Sequence, residues 1–528
     1  MRQLFMLFVL LCAMNSAHAA DAERVAHWKF DGNADDAGKE QLNGKATGRV
    51  EFFDSPVGGT GQLLSLNGVD AFVRMEKGLH LGNADFSISV WVLVLEARNT
   101  AVLADGAIRL RLQADGAVAL ETSAGNIRSG PGRIIPGQWV HVVASVHRAD
   151  AGGASKLFIN GTSAASGDIK AAALDSEKPL QFGKLDDGKL FNGLLDDISI
   201  YRSALSDEQV AALTDTGLPW LRAKPHLKTP FAAKFALEPD DTVLFIGGEN
   251  LSAASNVGCL ETFMTASASG RAYFRNMAWE GDSVFEQWRI VNFGSWQSQF
   301  ERTGASVLLV QFGQMESLQG ASGLPAFTAA YEKLLDAFSR RTQRIIVLSP
   351  PPFGPTTVLG VNSDARNTDL KVYGEAMRAI AVQRKFLYVD LFTALQASIK
   401  EDAGLTRDSV QLTDRGQRVM AQAIAQQLAI GDFGAVKIAS DGSFEDPSLE
   451  NLRQTIGVKN KLWMNYSRPN NWAFLNGDRV QVPSSRDHVD ARVRWFPAEV
   501  QQYPALILRQ EQKIEQMRVQ YKPAGRTK

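Results

Sequence analysis

What most constrains this chain is a change of rhythm near its middle. From Arg24 to about Leu213 it is interrupted roughly every eight to twelve residues by Gly, Asn or Asp, with short alternating runs between the breaks. Examples are FSISVWVLVL (86–95), AIRLRLQ (107–113), WVHVVASVH (139–147), KLFING (156–161) and DISIYR (197–202). Successive side chains of a strand point to opposite faces, so these runs predict an antiparallel all-β sandwich. From residue 241 the runs are continuously apolar: DTVLFIGG (241–248), ASVLLVQFG (305–313), RIIVLSPPPF (344–353) and FLYVDLF (386–392). Strands buried on both faces read this way. Between them Phe327, Tyr331, Leu334, Leu335 and Phe338 share one helical face, and Leu370, Tyr373, Met377 and Ile380 another. Strands alternating with helices predict a parallel, doubly wound sheet, with its site in the loops after the strands' carboxyl ends.

Two rhythms in 528 residues imply separate cores, so the chain is multidomain. The expected divisions are a β domain over 24–215, a proline- and lysine-bearing linker over 216–239, an α/β domain over 240–434 and an extension over 435–528. A formal charge of -1 gives a nucleic-acid partner no support. Residues 1–19 read as a signal peptide: Arg2, an apolar run from Leu4 to Met14, and the Ala17-His18-Ala19 cleavage pattern. Export to the periplasm or the extracellular space follows. A lipid anchor at Cys12 is disfavoured because Leu11 stands where a small residue is needed. No later stretch reaches the roughly 20 apolar residues that span a bilayer. Cys259, alone after cleavage and set in the apolar pattern GCLETFM, reads as a small core residue rather than a nucleophile.

HWKFDGNADDAG, LNGVDAFVRM, DFSISVWV, PGQWVHVVASVHRADAGGASKLFINGT and FNGLLDDISIYRSALSDEQVAAL follow one another through the first half. In that order they resemble the laminin-G-like, concanavalin-A-like jelly roll found on secreted bacterial proteins. The resemblance implies a lectin- or adhesion-type module without choosing its ligand. Asp31, Asp35, Asp36, Asp196 and Asp197 offer hard oxygens for calcium, Asp31 and Asp196 above all. Against this, Asp and Asn are ordinary turn residues that bond their own backbone. Trp28, Trp91 and Trp139 fall within strand patterns and read as core, not as sugar platforms.

FIGGEN (245–250), FRNMAWEGDSV (274–284), QFGQMES (311–317) and DSVQLTDRG (408–416) resemble the four signature blocks of the SGNH, or GDSL-like, hydrolase superfamily. The form resembles a subgroup common in secreted planctomycete proteins, and the resemblance implies a three-layer, flavodoxin-like domain. In active members the blocks supply a nucleophilic Ser, an oxyanion Gly, an oxyanion Asn, and an Asp and a His three apart. Here those places hold Glu249, Gly281, Met315, Asp408 and Gln411. Nucleophile, amide donor and base are replaced together. In a Ser triad, loss of either nucleophile or His costs on the order of a millionfold in turnover, so the resemblance implies an inactive esterase. Gln411 is expected to satisfy Asp408 or Glu249 through its amide.

Three rescues stay open. Ser252 is a displaced nucleophile, His488 a base arriving from the C-terminal region, or Glu249, Asp282 and Asp408 a carboxylate cluster for a cation or for acid–base work. The tail LENLRQTIGVKNKLWMNYSRPNNWAFLNGDR (449–479) resembles the extension of the same subgroup, with Trp463, Arg468, Pro469, Asn470 and Trp472 in its aromatic and Arg-Pro-Asn places. It covers the cleft, binds a partner, or packs on the α/β domain. Residues 497–521 are helix-prone on either side of Pro504, and KPAGRTK reads as a basic tail. The leading expectation is an exported binder of glycan, surface material or an exported partner protein, with no cofactor. A secreted carbohydrate esterase or deacetylase comes second, and a structural subunit docking through its tail helix third.

Overall fold

The computed structural model describes residues 22–148, 154–218, 230–231, 234–356, 362–431, 433, 436–475 and 479–521. The signal segment, Cys12, most of the linker and the KPAGRTK tail lie outside the described residues. The chain divides into two compact units, Met1–Arg222 with Asn471–Leu506 and Ala223–Asn470 with Ile507–Lys528.

The first unit is a jelly roll of two antiparallel sheets, one of eight strands and one of seven. The larger sheet centres on Phe86–Val94, paired with Trp139–Val146 on one side and Asn192–Tyr201 on the other. Phe86, Ile88, Val90 and Val92 face the second sheet and join Val102, Ile108, Leu110 and Leu120 in one core. Alternation alone predicts a wet outer face for this strand, yet every one of its residues is buried. The reason is Asp207–Gly217, an α-helix that a Ser206/Gln209 capping box starts and that lies over the outer face. Its last residue is glycine because a Cβ there would stand 2.2 Å from Trp91 Cζ2. Trp28, Trp91 and Trp139 are all buried core residues.

The second unit has five parallel strands in the order Ala272–Asn276, Asp241–Gly247, Val307–Gln311, Ile345–Leu348, Leu387–Val389. Helices cover both faces, as strands this apolar require. Four of these strands match the continuous apolar runs. The fifth, AYFRN, carries no such run because it is an edge strand, and its Arg275 is buried against Glu511. The helical faces centred on Tyr331 and Tyr373 form Leu324–Ser339 and Ser363–Gln383. Cys259 is a buried free thiol, pushed up to about 11 chiefly by burial.

Pro447–Ser467 and, from Ile507 onward, Tyr503–Gln520 belong to this unit. Pro447–Ser467 buries Lys459, whose Nζ lies 2.7 Å from Glu261 Oε1, while Trp463 Nε1 donates to the Asn276 carbonyl at 2.8 Å. Tyr503–Gln520 takes Pro504 into its first turn, where a missing N–H costs nothing. Its Ile514 packs on Leu452 and Ile456. Of the tail aromatics, Trp463 therefore packs on the α/β unit, and the far helix buries Ile514 there. No helix among the described residues is long and apolar enough to cross a membrane.

Candidate functional site

Gly247 ends the strand Asp241–Gly247 against the neighbouring strand, and a Cβ there would meet the Gln311 carbonyl at 2.2 Å. Gly248 then opens the helix Glu249–Val257, which puts Glu249 in its first turn. Beyond Ala272–Asn276 the chain is pinned by Trp279 N–H donating to the Gly247 carbonyl at 3.0 Å. It turns at Gly281, whose φ of +83° suits glycine. Beyond Val307–Gln311 come Gly313, Gln314 and Met315. Glu316 joins two of these loops, its carboxylate accepting from Val284 N–H at 2.8 Å and Gly313 N–H at 2.9 Å.

The loop 408–411 arrives ahead of the helix Asp414–Gln427, which Thr413 caps. Asn250 ties it to the first strand's helix: its Oδ1 accepts from Leu412 N–H at 2.8 Å and its Nδ2 donates to the Val410 carbonyl at 3.0 Å. The same amide group donates to Gln314 Oε1 at 3.0 Å. Sequence reasoning passed over Asn250 and Glu316. Their signal was position, since each directly follows a substituted signature residue.

These loops enclose a cavity of ≈ 270 Å³ at the strands' carboxyl ends. All five signature positions line it: Glu249, Gly281, Met315, Asp408 and Gln411. Asp282, Gln314 and Glu316 share the wall. Met315 is 47% exposed at the lip. The wall holds four carboxylates, and among the described residues that line it there is no Ser, Thr, Cys, Lys, Arg or His.

The carboxylates are not equivalent. Asp408 accepts from the backbone N–H groups of Val410 and Gln411 at 3.1 and 2.8 Å. Gln411 thus meets Asp408 through its main chain, which corrects the expectation of an amide contact; its side-chain Oε1 faces Arg407 Nη1 at 3.5 Å. Three residues of turn bring the N–H back to its own Asp before the side chain can reach it. Glu249 is half-buried and accepts no hydrogen bond among the described residues, and its carboxyl is raised by burial and then by the charges of Glu280 and Asp408. Asp282 is 4% exposed; its Oδ1 accepts from Trp288 N–H at 2.8 Å and its Oδ2 has no partner among the described residues. Burial pushes Asp282 up to about 7.

The rescue candidates take other places. Ser252 is buried, outside the cavity wall, and donates to Glu280 Oε1 at 2.9 Å. Glu280 also pairs with Arg468, which stacks 3.8 Å from the centroid of Trp279. His488 lies in the segment 471–506, which belongs to the jelly-roll unit. In that unit Asp196 is buried and accepts from Ser55 Oγ, while Asp31 Oδ1 accepts from Gln62 N–H at 2.8 Å. Asp36 accepts from the N–H groups of His27, Gly38 and Leu42 at 2.7, 2.7 and 2.9 Å, as a turn residue does. Asp197 pairs with the His27 ring. Among the described residues no group of three or more His, Cys, Asp or Glu is disposed to hold a metal ion.

Residues 67–211 match the family model of the concanavalin A-like lectin/glucanases superfamily, laminin G type, and residues 216–419 match that of the GDSL-like lipase/acylhydrolase family. No curated protein matches the chain. Among solved structures it is similar to domain 4 of AbnA, a GH43 extracellular arabinanase from Geobacillus stearothermophilus in complex with arabinotriose. That match has 25% identity over 37% of this chain and 98% of that one, with a TM-score of 0.31. It is also similar to the binding domain of Paraclostridial Mosquitocidal Protein 1, at 18% identity over 38% of this chain and 53% of that one, TM-score 0.32. A third is the botulinum neurotoxin serotype D binding domain, at 12% identity over 37% and 51%, TM-score 0.30. The chain spans about half the length of these last two.

Proposed function

We propose that this chain, which joins a laminin G-like domain to a GDSL-like acylhydrolase domain, is an exported recognition protein whose hydrolase cavity binds without acyl transfer. The observation that carries this is the cavity wall. Acyl transfer by this fold needs an activated nucleophile, a base that takes its proton, and donors for the oxyanion. Glu249, Gln411 and Met315 stand at those three places. The Gln411 amide exchanges no proton near neutral pH, and the Met315 thioether has no N–H to donate. Met315 and Gln411 still leave a shaped, partly apolar concavity, which is what a small-ligand site consists of. The apolar segment at residues 1–19 supports export, and the laminin G-like domain supports recognition of glycan or surface material.

An esterase acting through other residues is the second reading, and Glu249 favours it, being half-buried, raised and unpartnered among the described residues. The two separate in one assay. The recognition reading expects no turnover of p-nitrophenyl acetate above background, with retention on an array of glycans or surface polysaccharides. Turnover that Glu249→Ala or Ser252→Ala abolishes would establish the esterase instead.

A further inference from the structure

The cavity has a chemical bias that its lost triad does not explain. Its wall carries Glu249, Asp282, Glu316 and Asp408, and no cationic residue lines it among those described. Backbone N–H groups occupy Glu316 and Asp408. Glu249 is left without a hydrogen bond among the described residues, and so is Oδ2 of Asp282, in a side chain only 4% exposed. At Glu249 a half-buried carboxylate without a hydrogen-bond partner among the described residues costs free energy that a bound cation offsets, while Asp282 leaves a buried oxygen open to a polar group of the same ligand. The amide of Gln411 adds N–H donors for a neutral oxygen beside them.

The second observation is an exposed apolar segment that follows Asp282 along the chain. Phe285 and Trp288 are 49% and 50% exposed, and Ile290, Val291, Met315 and Leu318 are exposed with them. The segment that carries the first four, which runs into the short helix Trp288–Phe293, is tied to the cavity wall through Trp288 N–H on Asp282 and Val284 N–H on Glu316, each at 2.8 Å. Six exposed apolar side chains on two segments that Glu316 ties together mark a contact surface rather than scattered exposure. An anionic floor with an exposed aromatic segment tied to its wall suits a ligand that is cationic at one point and offers an apolar ring face beside it. The volume of ≈ 270 Å³ sits just below the roughly 300 Å³ at which drug-sized pockets begin, so it takes one ring and not a folded chain.

We infer that the cavity binds a glycan bearing a free amine, with one glucosamine-type ring placing its ammonium against Glu249 and its neighbour lying on Trp288. This rests on the recognition reading above and names its ligand. The covalent attachment of a lectin-type domain favours a glycan over a lysine-bearing peptide as the source of the cation.

The test is calorimetric titration of the full chain at pH 6 with three probes: a β-1,4-linked glucosamine tetramer, its fully N-acetylated counterpart, and a tetralysine peptide. The expected result is binding of the glucosamine tetramer at least about tenfold tighter than either other probe. Glu249→Gln should remove about tenfold or more of that affinity, and Trp288→Ala should weaken binding by a smaller factor. Circular dichroism of both variants checks that they fold. Equal binding of the acetylated tetramer, tighter binding of tetralysine, or an unchanged Glu249→Gln would each overturn the assignment. p-Nitrophenyl acetate, run on the same sample, separates the two levels. Silence toward both ester and glucosamine defeats the ligand assignment alone, whereas ester turnover lost in Glu249→Ala defeats the recognition reading beneath it.

Discussion

The two units invert each other's chemistry. The jelly roll holds a hydroxyl–imidazole contact of the kind a hydrolase needs: Ser89 Oγ lies 2.8 Å from His141 Nε2, and His141 Nδ1 lies 2.7 Å from Thr214 Oγ1. Yet His141 is sealed beneath the Asp207–Gly217 helix, 1% exposed and stacked on Trp91 with ring centroids 4.6 Å apart. The hydrolase-type unit has the open cavity, and its wall has neither group among the described residues. Residue types that make a nucleophile pair are inert where no substrate can enter, and a cleft alone does no acyl transfer. Closed polar groups in this protein should therefore answer to stability, and open ones to binding.

The largest effect expected on the closed side is at Lys459, 1% exposed and paired with Glu261. Lys459→Ala leaves a buried carboxylate without its cation and should cost the α/β unit about 3 to 5 kcal/mol, read as a lowered denaturant midpoint. Next comes a pH effect of opposite sign in the two units. Burial pushes His141 down to about 4 from 6.5, with the Asp197 charge opposing. Below pH 6.5 the unfolded chain takes up a proton that the folded one refuses. Jelly-roll stability should fall by about 3 kcal/mol as pH drops from 6.5 to 4, visible as lower hydrogen-exchange protection factors in residues 139–146.

Asp282 runs the other way. With its carboxyl raised from 3.8 to about 7, the folded state holds a proton that the unfolded chain has released. Its contribution is complete below pH 4 and is lost as pH rises through 7. Asp282→Asn keeps the acceptor for Trp288 N–H and should stabilise the α/β unit by about 1 to 3 kcal/mol at pH 8, with no gain at pH 4. A gain at both pH values would break the comparison. Smallest is Glu249→Ala, which should leave stability within about 0.5 kcal/mol, because the carboxylate it removes serves no folded-state partner among the described residues.

Much of this was legible in the sequence, for identifiable reasons. Alternating and continuous apolar runs reported the two folds because burial on one face or two dictates each pattern directly. Glu249, Gly281 and Met315 converge on one cavity because each follows a parallel strand of one sheet, and Asp408 and Gln411 join them from the loop ahead of the helix Asp414–Gln427. The helix over the jelly roll's outer face was not legible as a cover: Ser87, Ser89 and His141 look solvent-facing until Ser206 and Gln209 start a helix that Thr214 and Gly217 fit to them. The edge strand at Tyr273 escaped because Arg275 interrupts its apolar run, and its partner Glu511 is 236 residues away. Gln411 was expected on Asp408 or Glu249 through its side chain and meets Asp408 through its main chain, since tight-turn geometry and not side-chain type chose the donor.

The central claim is that the hydrolase cavity has no nucleophile. Incubation of the intact protein with an active-site-directed fluorophosphonate, followed by intact-mass and peptide mass spectrometry, tests it most directly. The account predicts an unmodified mass. A phosphonylated residue mapped to the cavity, whether at Glu249 or at Ser252 brought within reach, would contradict it.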